Sequence, residues 1–90
     1  MQKLIVNNMT SPRSGREVAN QFIIDADDGT YFQSYNTMIA VITNAGVKLD
    51  AKAWDYSRTT SKYRNEFLQE TTKETLAKIK DGTYELADLN

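Results

Sequence analysis

The first part of the chain alternates short apolar runs with turn-forming residues, a pattern that predicts β-strands. A first strand is expected over Lys3 to Val6, and Thr30 to Tyr35 is also rich in β-forming residues. Between them, three apolar side chains share one parity, namely Val18, Phe22 and Ile24. Asp27-Asp28-Gly29 follows this stretch, and so short a connection joins only antiparallel strands. The strongest hairpin signal therefore spans residues 18–35.

A second hairpin is predicted in the middle of the chain. Met38 to Ile42 is a continuous and largely β-branched run, although Thr37 to Ala40 could also begin a short helical turn. Asn44-Ala45-Gly46 supplies a turn, and residues 47–49 then alternate between apolar and basic. A hairpin fits this pattern better than a helix.

The pattern becomes helical after Trp54. A hydroxyl side chain can accept a hydrogen bond from a free N–H group at the start of a helix, and three residues qualify: Thr59, Thr60 and Ser61. Tyr63 and Phe67 are four residues apart and would share one face of this helix. Thr71 and Glu74 have the spacing of a capping box, which predicts that a second helix begins there.

The second helix is expected to end at Gly82, because glycine favours the backbone conformation that follows a helix. Glu74 and Lys78 are spaced for an ion pair on its surface. Tyr84 and Leu86 then predict a final short strand. Together the elements predict an α+β fold, in which a small antiparallel sheet of about four to six short strands is packed by two C-terminal helices.

Length and hydropathy indicate one small soluble domain. With 90 residues, the chain is expected to form a single domain over residues 1–90. No apolar run approaches the roughly 20 residues of a membrane span, and the amino terminus becomes polar too early for a secretory signal. We therefore expect a cytoplasmic protein without a membrane partner.

Composition narrows the possible chemistry. The chain has no histidine and no cysteine, which removes histidine bases, thiol nucleophiles, disulfides and the usual zinc sites. Asp25, Asp27 and Asp28 form a cluster of carboxylates, but Asp-Asp-Gly is ordinary turn chemistry and the spacing lacks the other ligands of a calcium loop. No pairing of a nucleophile with a base is evident. We expect neither catalysis nor a metal nor a cofactor.

The segment from Trp54 to Arg64 is the first candidate for binding. It places hydroxyls and cations where a helix is expected to begin, and the free N–H groups at a helix start suit a phosphate. In the alternative interpretation the hydroxyls only cap the helix and the aromatic rings fill the core. If Trp54 and Tyr56 lie in an extended segment, they would share one face. The candidate contact residues are Trp54, Tyr56, Arg58, Thr59, Thr60, Lys62 and Arg64.

The loop from Ser11 to Arg16 is the second candidate. Arg13 and Arg16 could bind a phosphate or an acidic protein surface, although a solvated connection explains them equally well. All four arginines of the chain lie in these two segments. They would form a basic patch if the fold brings the segments together, despite a net charge of −1.

Four motifs are spread over most of the chain, from about Ser11 to Leu68. They are Ser11-Pro12-Arg13-Ser14-Gly15; Val18-Ala19-Asn20-Gln21-Phe22; Phe32-Gln33-Ser34-Tyr35-Asn36-Thr37 with Ile39-Ala40; and Trp54-Asp55-Tyr56-Ser57 with Thr59-Thr60, Lys62 and Phe67-Leu68. Together they resemble a family of small tailed-bacteriophage proteins that has no assigned activity. The resemblance implies the cytoplasm of an infected bacterium as the setting. Similar proteins often carry His where this chain has Tyr63, so chemistry that needs that His could not be shared.

Two functions of different classes fit these observations. The favoured one is a non-catalytic binding module that acts on a host or phage protein, for example as an inhibitor of a host factor. The net charge of the chain, −1, favours this function over nucleic-acid binding, because dedicated nucleic-acid binders are clearly basic. The alternative is a nucleic-acid or phosphate-binding accessory protein that uses the Arg13/Arg16 loop and the helix start from Arg58 to Arg64. Either a monomer or a homodimer through an exposed sheet edge is compatible with the sequence.

Overall fold

Six strands and two helices make up the fold in a computed structural model that describes residues 4–90. The elements in chain order are β1 (Leu4–Thr10), β2 (Glu17–Ala26), β3 (Gly29–Ser34), β4 (Thr37–Thr43), β5 (Gly46–Asp50), α1 (Arg58–Leu68), α2 (Thr72–Lys80) and β6 (Glu85–Ala87). The predicted α+β class is confirmed. Lys3, the start of the expected first strand, lies outside the described residues, and that strand extends further than expected, to Thr10.

The six strands form one sheet in the order β1-β2-β3-β4-β5-β6. Consecutive strands from β1 to β5 are antiparallel, as the predicted hairpins require. The last pair, β5 and β6, is parallel. The predicted antiparallel sheet is therefore confirmed for β1 to β5, and the structure departs from it only at this pair of described strands. The connection from β5 to β6 contains both helices and is long enough for a parallel crossover.

Both helices contribute to a core on one face of the sheet. The buried members of this core are Met9, Phe32, Ile39, Ala40, Leu49, Ala53, Tyr63 and Tyr84. The ring of Phe67 in α1 stacks on Phe32 in β3, with centroids 5.7 Å apart. The hydroxyls of Thr60 and Ser34 are hydrogen-bonded at 3.0 Å, so α1 begins over the end of β3 and runs back along it. The shortest principal extent is 20 Å, which corresponds to two layers.

A bulge in β2 changes which of its side chains face the core. Ile23 packs against the core, so its neighbours Phe22 and Ile24 point to the opposite face. Val18 also packs against the core, because the pairing of β2 with β1 shifts beyond Phe22 and Asn20 adopts a left-handed conformation with φ of 66°. The shared parity of Val18, Phe22 and Ile24 in the sequence therefore does not place them on one face.

The helix caps agree with the sequence in one case and differ in the other. Thr71 and Glu74 form the predicted capping box at the start of α2. At the start of α1 the cap is Ser57, whose Oγ accepts a hydrogen bond from the N–H of Thr60 at 3.1 Å. The prediction that Thr59, Thr60 or Ser61 caps this helix is therefore wrong. The helix begins earlier than expected, at Arg58, and Thr60 faces the interior. Within residues 4–90, neither helix is long and apolar enough to cross a membrane.

The expected ion pair between Glu74 and Lys78 is replaced by a different one. Lys78 Nζ instead lies 2.6 Å from Oε1 of Glu70, whose side chain is only 4% exposed. The hydroxyls of Tyr84 and Thr75 also donate to Glu70. This network fastens the segment before β6 to α2, while Glu74 is occupied by the capping box.

Candidate functional site

Strand direction places the two arginine segments at the same end of the sheet. The β1–β2 loop, which contains Arg13 and Arg16, and the β3–β4 turn both lie at this end, because the strands alternate in direction. The connection from β5 to α1 leaves from the same end. Thr60 contacts Ser34, the last residue of β3, so the start of α1 lies there too. We call this region the arginine end.

Most of the candidate contact residues at the arginine end are exposed. The exposed ones are Arg13, Arg16, Tyr56, Arg58, Thr59 and Lys62. A shallow groove of about 350 Å³ runs along the helix start and is lined by Asp55, Tyr56, Ser57, Arg58 and Ser61. The carboxylate of Asp55 lies in this groove and accepts a hydrogen bond from the hydroxyl of Ser61. A negative group therefore already occupies the helix start, where a phosphate was expected to bind.

Arg64 is buried, so the expectation that it adds surface charge is wrong. Its side chain is 0% exposed and its guanidinium lies 5.1 Å from the ring of Trp54. Its NH1 donates to the backbone oxygen of Trp54, to Asp55 Oδ1 at 3.2 Å and to Ser61 Oγ at 3.3 Å. Its NH2 donates to Asn65 Oδ1 at 2.9 Å and to Thr72 Oγ1 at 2.8 Å. Arg64 thus joins the β5–α1 connection to both helices and is not available to a ligand.

The positions of Thr60 and Trp54 also agree with the alternative interpretation, in which these side chains serve the fold rather than a ligand. Thr60 is fully buried against Ser34, and Trp54 is half-buried against the core. Tyr56 is 51% exposed. The two aromatic residues do not share a face, because residues 51–55 form turns rather than an extended segment. Of the predicted segment, Tyr56, Arg58, Thr59 and Lys62 remain as surface candidates.

The second face of the sheet carries a row of apolar side chains that the sequence did not reveal. Residues directly opposite each other in a sheet share a face, and the register aligns one residue from every strand. This row is Val6, Ile24, Tyr31, Val41, Lys48 and Glu85. Its first four members are apolar or aromatic, and its last two form an ion pair at 3.4 Å. We call this surface the open face.

A neighbouring row extends the apolar part of the open face. The register aligns Asn8, Phe22, Gln33 and Met38. The apolar residues of both rows are half-buried, except two. Val6 is 54% exposed, and Val41, whose strand neighbours are Tyr31 and Lys48, is 3% exposed. Among residues 4–90, none of them belongs to the core cluster formed with the helices. The outer face of an antiparallel sheet is usually polar, so this apolar area needs an explanation.

The two edges of the sheet differ in length and chemistry. Strand β1 forms one edge with seven residues, and Leu4, Ile5 and Val6 are 67%, 45% and 54% exposed. The segment Leu4–Thr10 contains no charged residue and no proline. Strand β6 forms the other edge with only three residues, one of which is the charged Glu85. Charges and short length are the usual protections of an edge strand, and β1 has neither.

A cavity of about 510 Å³ lies at the arginine end, beside Asp50. Asp50 is 4% exposed and accepts hydrogen bonds from the N–H groups of Lys52, Ala53 and Leu89 and from the amide of Asn90. Burial alone would raise the pKa of Asp50, but these hydrogen bonds outweigh it and lower the pKa below the ordinary value of 3.8. The lowered pKa makes Asp50 a weak base, and its hydrogen-bond donors give it a structural role.

Glu70 is the second buried carboxylate, and its pKa is also lowered. Burial would raise the pKa, but hydrogen bonds from Lys78, Thr75 and Tyr84 outweigh that effect. Burial and the same contact with Glu70 raise the pKa of the Tyr84 hydroxyl. Both groups are held by partners within the fold and neither is poised for proton transfer near neutral pH.

The aspartates of the β2–β3 turn lie at the opposite end of the sheet from the arginines. Thr30 Oγ1 donates to Asp25 at 3.1 Å, and the hydroxyl of Tyr31 donates to Asp28 at 2.8 Å. This contact with Asp28 raises the pKa of Tyr31. Within residues 4–90 there is no group of three or more acidic side chains arranged to hold a metal ion. The contact of Asp25 joins two opposite residues of β2 and β3, and the contact of Asp28 belongs to the turn between these strands.

Comparison with known proteins gives one match. The model of a family of unknown function, DUF8033, matches residues 5–83, which is most of the chain. No curated protein and no solved structure matches the chain significantly. The matched region contains β1 apart from its first residue, all of β2 to β5, both helices and the apolar row on β1 to β4. The chain therefore belongs to the family of unknown function DUF8033.

Proposed function

We propose that this protein is a non-catalytic binding module that docks on another protein through its open face. The observation that carries the proposal is the accessible part of the apolar rows, Val6, Ile24, Tyr31, Phe22 and Met38, which lies outside the core cluster packed by the helices. Contiguous apolar surface on a small protein is characteristic of an interaction site. Water would be released from these rows when a complementary surface covers them, and that release favours binding.

The charge on the open face specifies the chemistry of the partner. The row continues on β5 and β6 with two charged residues, Lys48 and Glu85. Their charges neutralise each other in an ion pair. Such a surface lacks the unpaired cations on which the binding of nucleic acids mainly depends. The matching partner is a protein with a flat, apolar and uncharged patch surrounded by polar groups.

The cellular setting is part of the same proposal. The resemblance of the motifs between Ser11 and Leu68 to small tailed-bacteriophage proteins supports an origin in a phage. It also supports action in the cytoplasm of the infected bacterium, where the partner would be a host or phage protein. Inhibition of a host factor is one outcome of such binding.

Substitution of Ile24 by glutamate tests the open face. The protein should recover a specific partner from a bacterial lysate, and Ile24→Glu should lower the recovery at least about tenfold because it places a charge in the centre of the apolar contact. Ile42→Glu is the matched control, since Ile42 is the same residue type and lies on the other face opposite Val47. Circular dichroism of both variants checks that they are folded. Recovery unaffected by Ile24→Glu, or no specific partner at all, would refute the proposal.

A nucleic-acid or phosphate-binding function is the second candidate, because the exposed cations Arg13, Arg16, Arg58 and Lys62 lie at one end of the sheet. This function predicts binding to single- or double-stranded DNA or RNA that weakens steeply with salt. Replacement of Arg58 and Lys62 by alanine should lower the slope of log K against log salt by about 0.7–0.9 for each phosphate that the protein no longer neutralises. The alanine double variant of Arg13 and Arg16 tests the loop in the same way. Absence of binding at low salt eliminates this candidate.

A further inference from the structure

The edge strand β1 is the part of the surface that the proposed function leaves unused. Its outer side presents backbone N–H and C=O groups that no strand among residues 4–90 pairs with. Leu4, Ile5 and Val6 are 67%, 45% and 54% exposed along it. Such an edge is a template for one more strand, and most proteins protect it with charge, proline or short length.

From this edge we infer that two copies of the chain pair through β1 in an antiparallel fashion, to form one continuous sheet of twelve strands. The inference concerns the edge of the sheet rather than its open face, and it holds or fails independently of the proposed function.

The difference between the two edges identifies the occupant as a second copy. Pairing of β1 with the β6 edge of another copy would generate an open chain of molecules, but β6 is three residues long and carries Glu85. Pairing of β1 with β1 closes after two copies and leaves only the short, charged edge exposed. Leu4, Ile5 and Val6 of one copy can face the same three uncharged residues of the other, so no charge is buried among them.

Symmetry restricts the register of this pairing. A two-fold axis that relates neighbouring antiparallel strands is perpendicular to the sheet and keeps each face on the same side. It passes midway between the two copies of one residue, which therefore face each other. Each possible axis is named by that residue. An axis at Asn7 pairs Asn7 with itself and Ile5 with Met9, and an axis at Val6 pairs Ile5 with Asn7. An axis at Ile5 pairs Ile5 with itself and Leu4 with Val6. Only the axis at Ile5 matches all three exposed aliphatic residues with one another.

This register also joins the open faces of the two copies. Leu4 and Val6 lie on the open face, opposite Ala26 and Ile24 of β2. Across the axis, Val6 of one copy pairs with Leu4 of the other. The apolar row from Val41 to Val6 therefore continues into the second copy, and the helices of both copies lie on the other side of the sheet.

The interface formed by a single strand pair is small. We expect it to fall below the roughly 1,200 Å² at which weak complexes begin, and the dimer to dissociate in the micromolar range. Analytical ultracentrifugation from about 10 to 500 µM covers this range. The expected result is a rise from the mass of one chain towards that of two. The mass of one chain at every concentration would overturn the inference.

Substitution of Ile5, the residue at the two-fold axis, tests whether the dimer interface lies at β1. Ile5→Lys places two like charges opposite each other, so the dissociation constant should rise at least about tenfold. Ile42→Lys is the matched control, because Ile42 is the same residue at a similar exposure of 39% and lies on β4. A dimer that survives Ile5→Lys, in a protein shown to be folded, would overturn the inference.

A disulfide tests the register without disturbing the charge. The chain has no cysteine, so a single introduced thiol can cross-link only to the second copy. Residues paired across the axis have Cα atoms about 4.5–5.5 Å apart, which a disulfide can span. Under mild oxidation Ile5→Cys should form a covalent dimer in high yield. Asn7→Cys should not, because two such thiols would be offset by four residues, or about 13 Å, along the strand. Cross-linking of Asn7→Cys in preference to Ile5→Cys would refute this register.

Discussion

Replacement of Arg64 by alanine should destabilise the protein severely, far more than replacement of any exposed arginine. The side chain is 0% exposed. It contacts the β5–α1 connection through Trp54 and Asp55, and the start of α2 through Thr72. Its loss leaves a cavity and removes several charge-assisted hydrogen bonds. We expect a decrease of about 3–5 kcal/mol in the free energy of unfolding. In a domain of this size that decrease lowers the melting temperature by at least about 12 °C.

Thermal unfolding followed by circular dichroism measures this effect, because the fluorescence of Trp54 would respond to the loss of Arg64 itself. Arg58→Ala is the matched control on the same helix, and its exposed side chain should change the stability by no more than about 0.5 kcal/mol. Arg64→Met retains much of the packing on Trp54 without the hydrogen bonds, so it should lie between the two. A melting temperature for Arg64→Ala close to that of Arg58→Ala would contradict the structural role given to Arg64.

The burial of Arg64 could not be predicted from the sequence. Its neighbours Ser61 and Lys62 make the segment look like the polar start of a helix, and arginine is usually exposed. Three of the groups that accept hydrogen bonds from its NH1 and NH2 belong to Trp54, Asp55 and Thr72, which are eight to ten residues away in the chain. Only the folding of three segments around the side chain makes burial favourable. The exposed positions of Arg13 and Arg16 needed no such information, because they lie in a short loop.

The same distinction between local and distant contacts explains why one helix cap could be predicted from the sequence and the other could not. The capping box of Thr71 and Glu74 was predictable because both partners lie within four residues. The cap of α1 was not, since Ser57, Thr59 and Thr60 are chemically similar and the contact of Thr60 with Ser34 decides between them. Where several neighbouring residues could serve as the cap, a contact between distant parts of the chain therefore determines which one does.

The open face depended entirely on the strand register. Successive members of the row Val6, Ile24, Tyr31 and Val41 are seven to eighteen residues apart in the sequence, and each strand contributes only one of them. The bulge at Asn20 adds a second obstacle, because it separates Val18 from Phe22 and Ile24. A simple alternation of residues would have assigned all three to the core. Hairpins could thus be predicted from turns, whereas the surface they create could not.

Replacement of Asp50 by asparagine should also destabilise the protein strongly, and the effect should depend on pH. Asp50 accepts four hydrogen bonds, two at each carboxylate oxygen, and joins the end of β5 to the C-terminal residues Leu89 and Asn90. An asparagine has one oxygen to offer, so its NH₂ group would face two of these donors. We expect a loss of about 2–4 kcal/mol at neutral pH, since each buried donor left without a partner costs about 1–3 kcal/mol.

The pH dependence follows from the lowered pKa of Asp50. A carboxyl whose pKa is lower in the folded state stabilises the protein above its unfolded pKa, and this contribution is lost as the pH falls through the folded pKa. The free energy of unfolding of the wild-type protein should therefore fall as the pH drops below 3.8, the ordinary pKa of an aspartate carboxyl. The asparagine variant lacks this particular loss. The difference in stability between the two proteins should narrow as the pH falls from about 7 to about 3.

Urea unfolding at a series of pH values, followed by the fluorescence of the single tryptophan, measures this difference. Asp28→Asn is the matched control, because it makes the same change in charge at the other end of the sheet, and its amide oxygen can still accept from Tyr31. Its difference from the wild type should stay small. A constant difference for Asp50→Asn at every pH would mean that the ionised carboxylate is not what the four donors stabilise. A narrowing difference would show that the charge of Asp50 holds the C-terminal residues against the sheet.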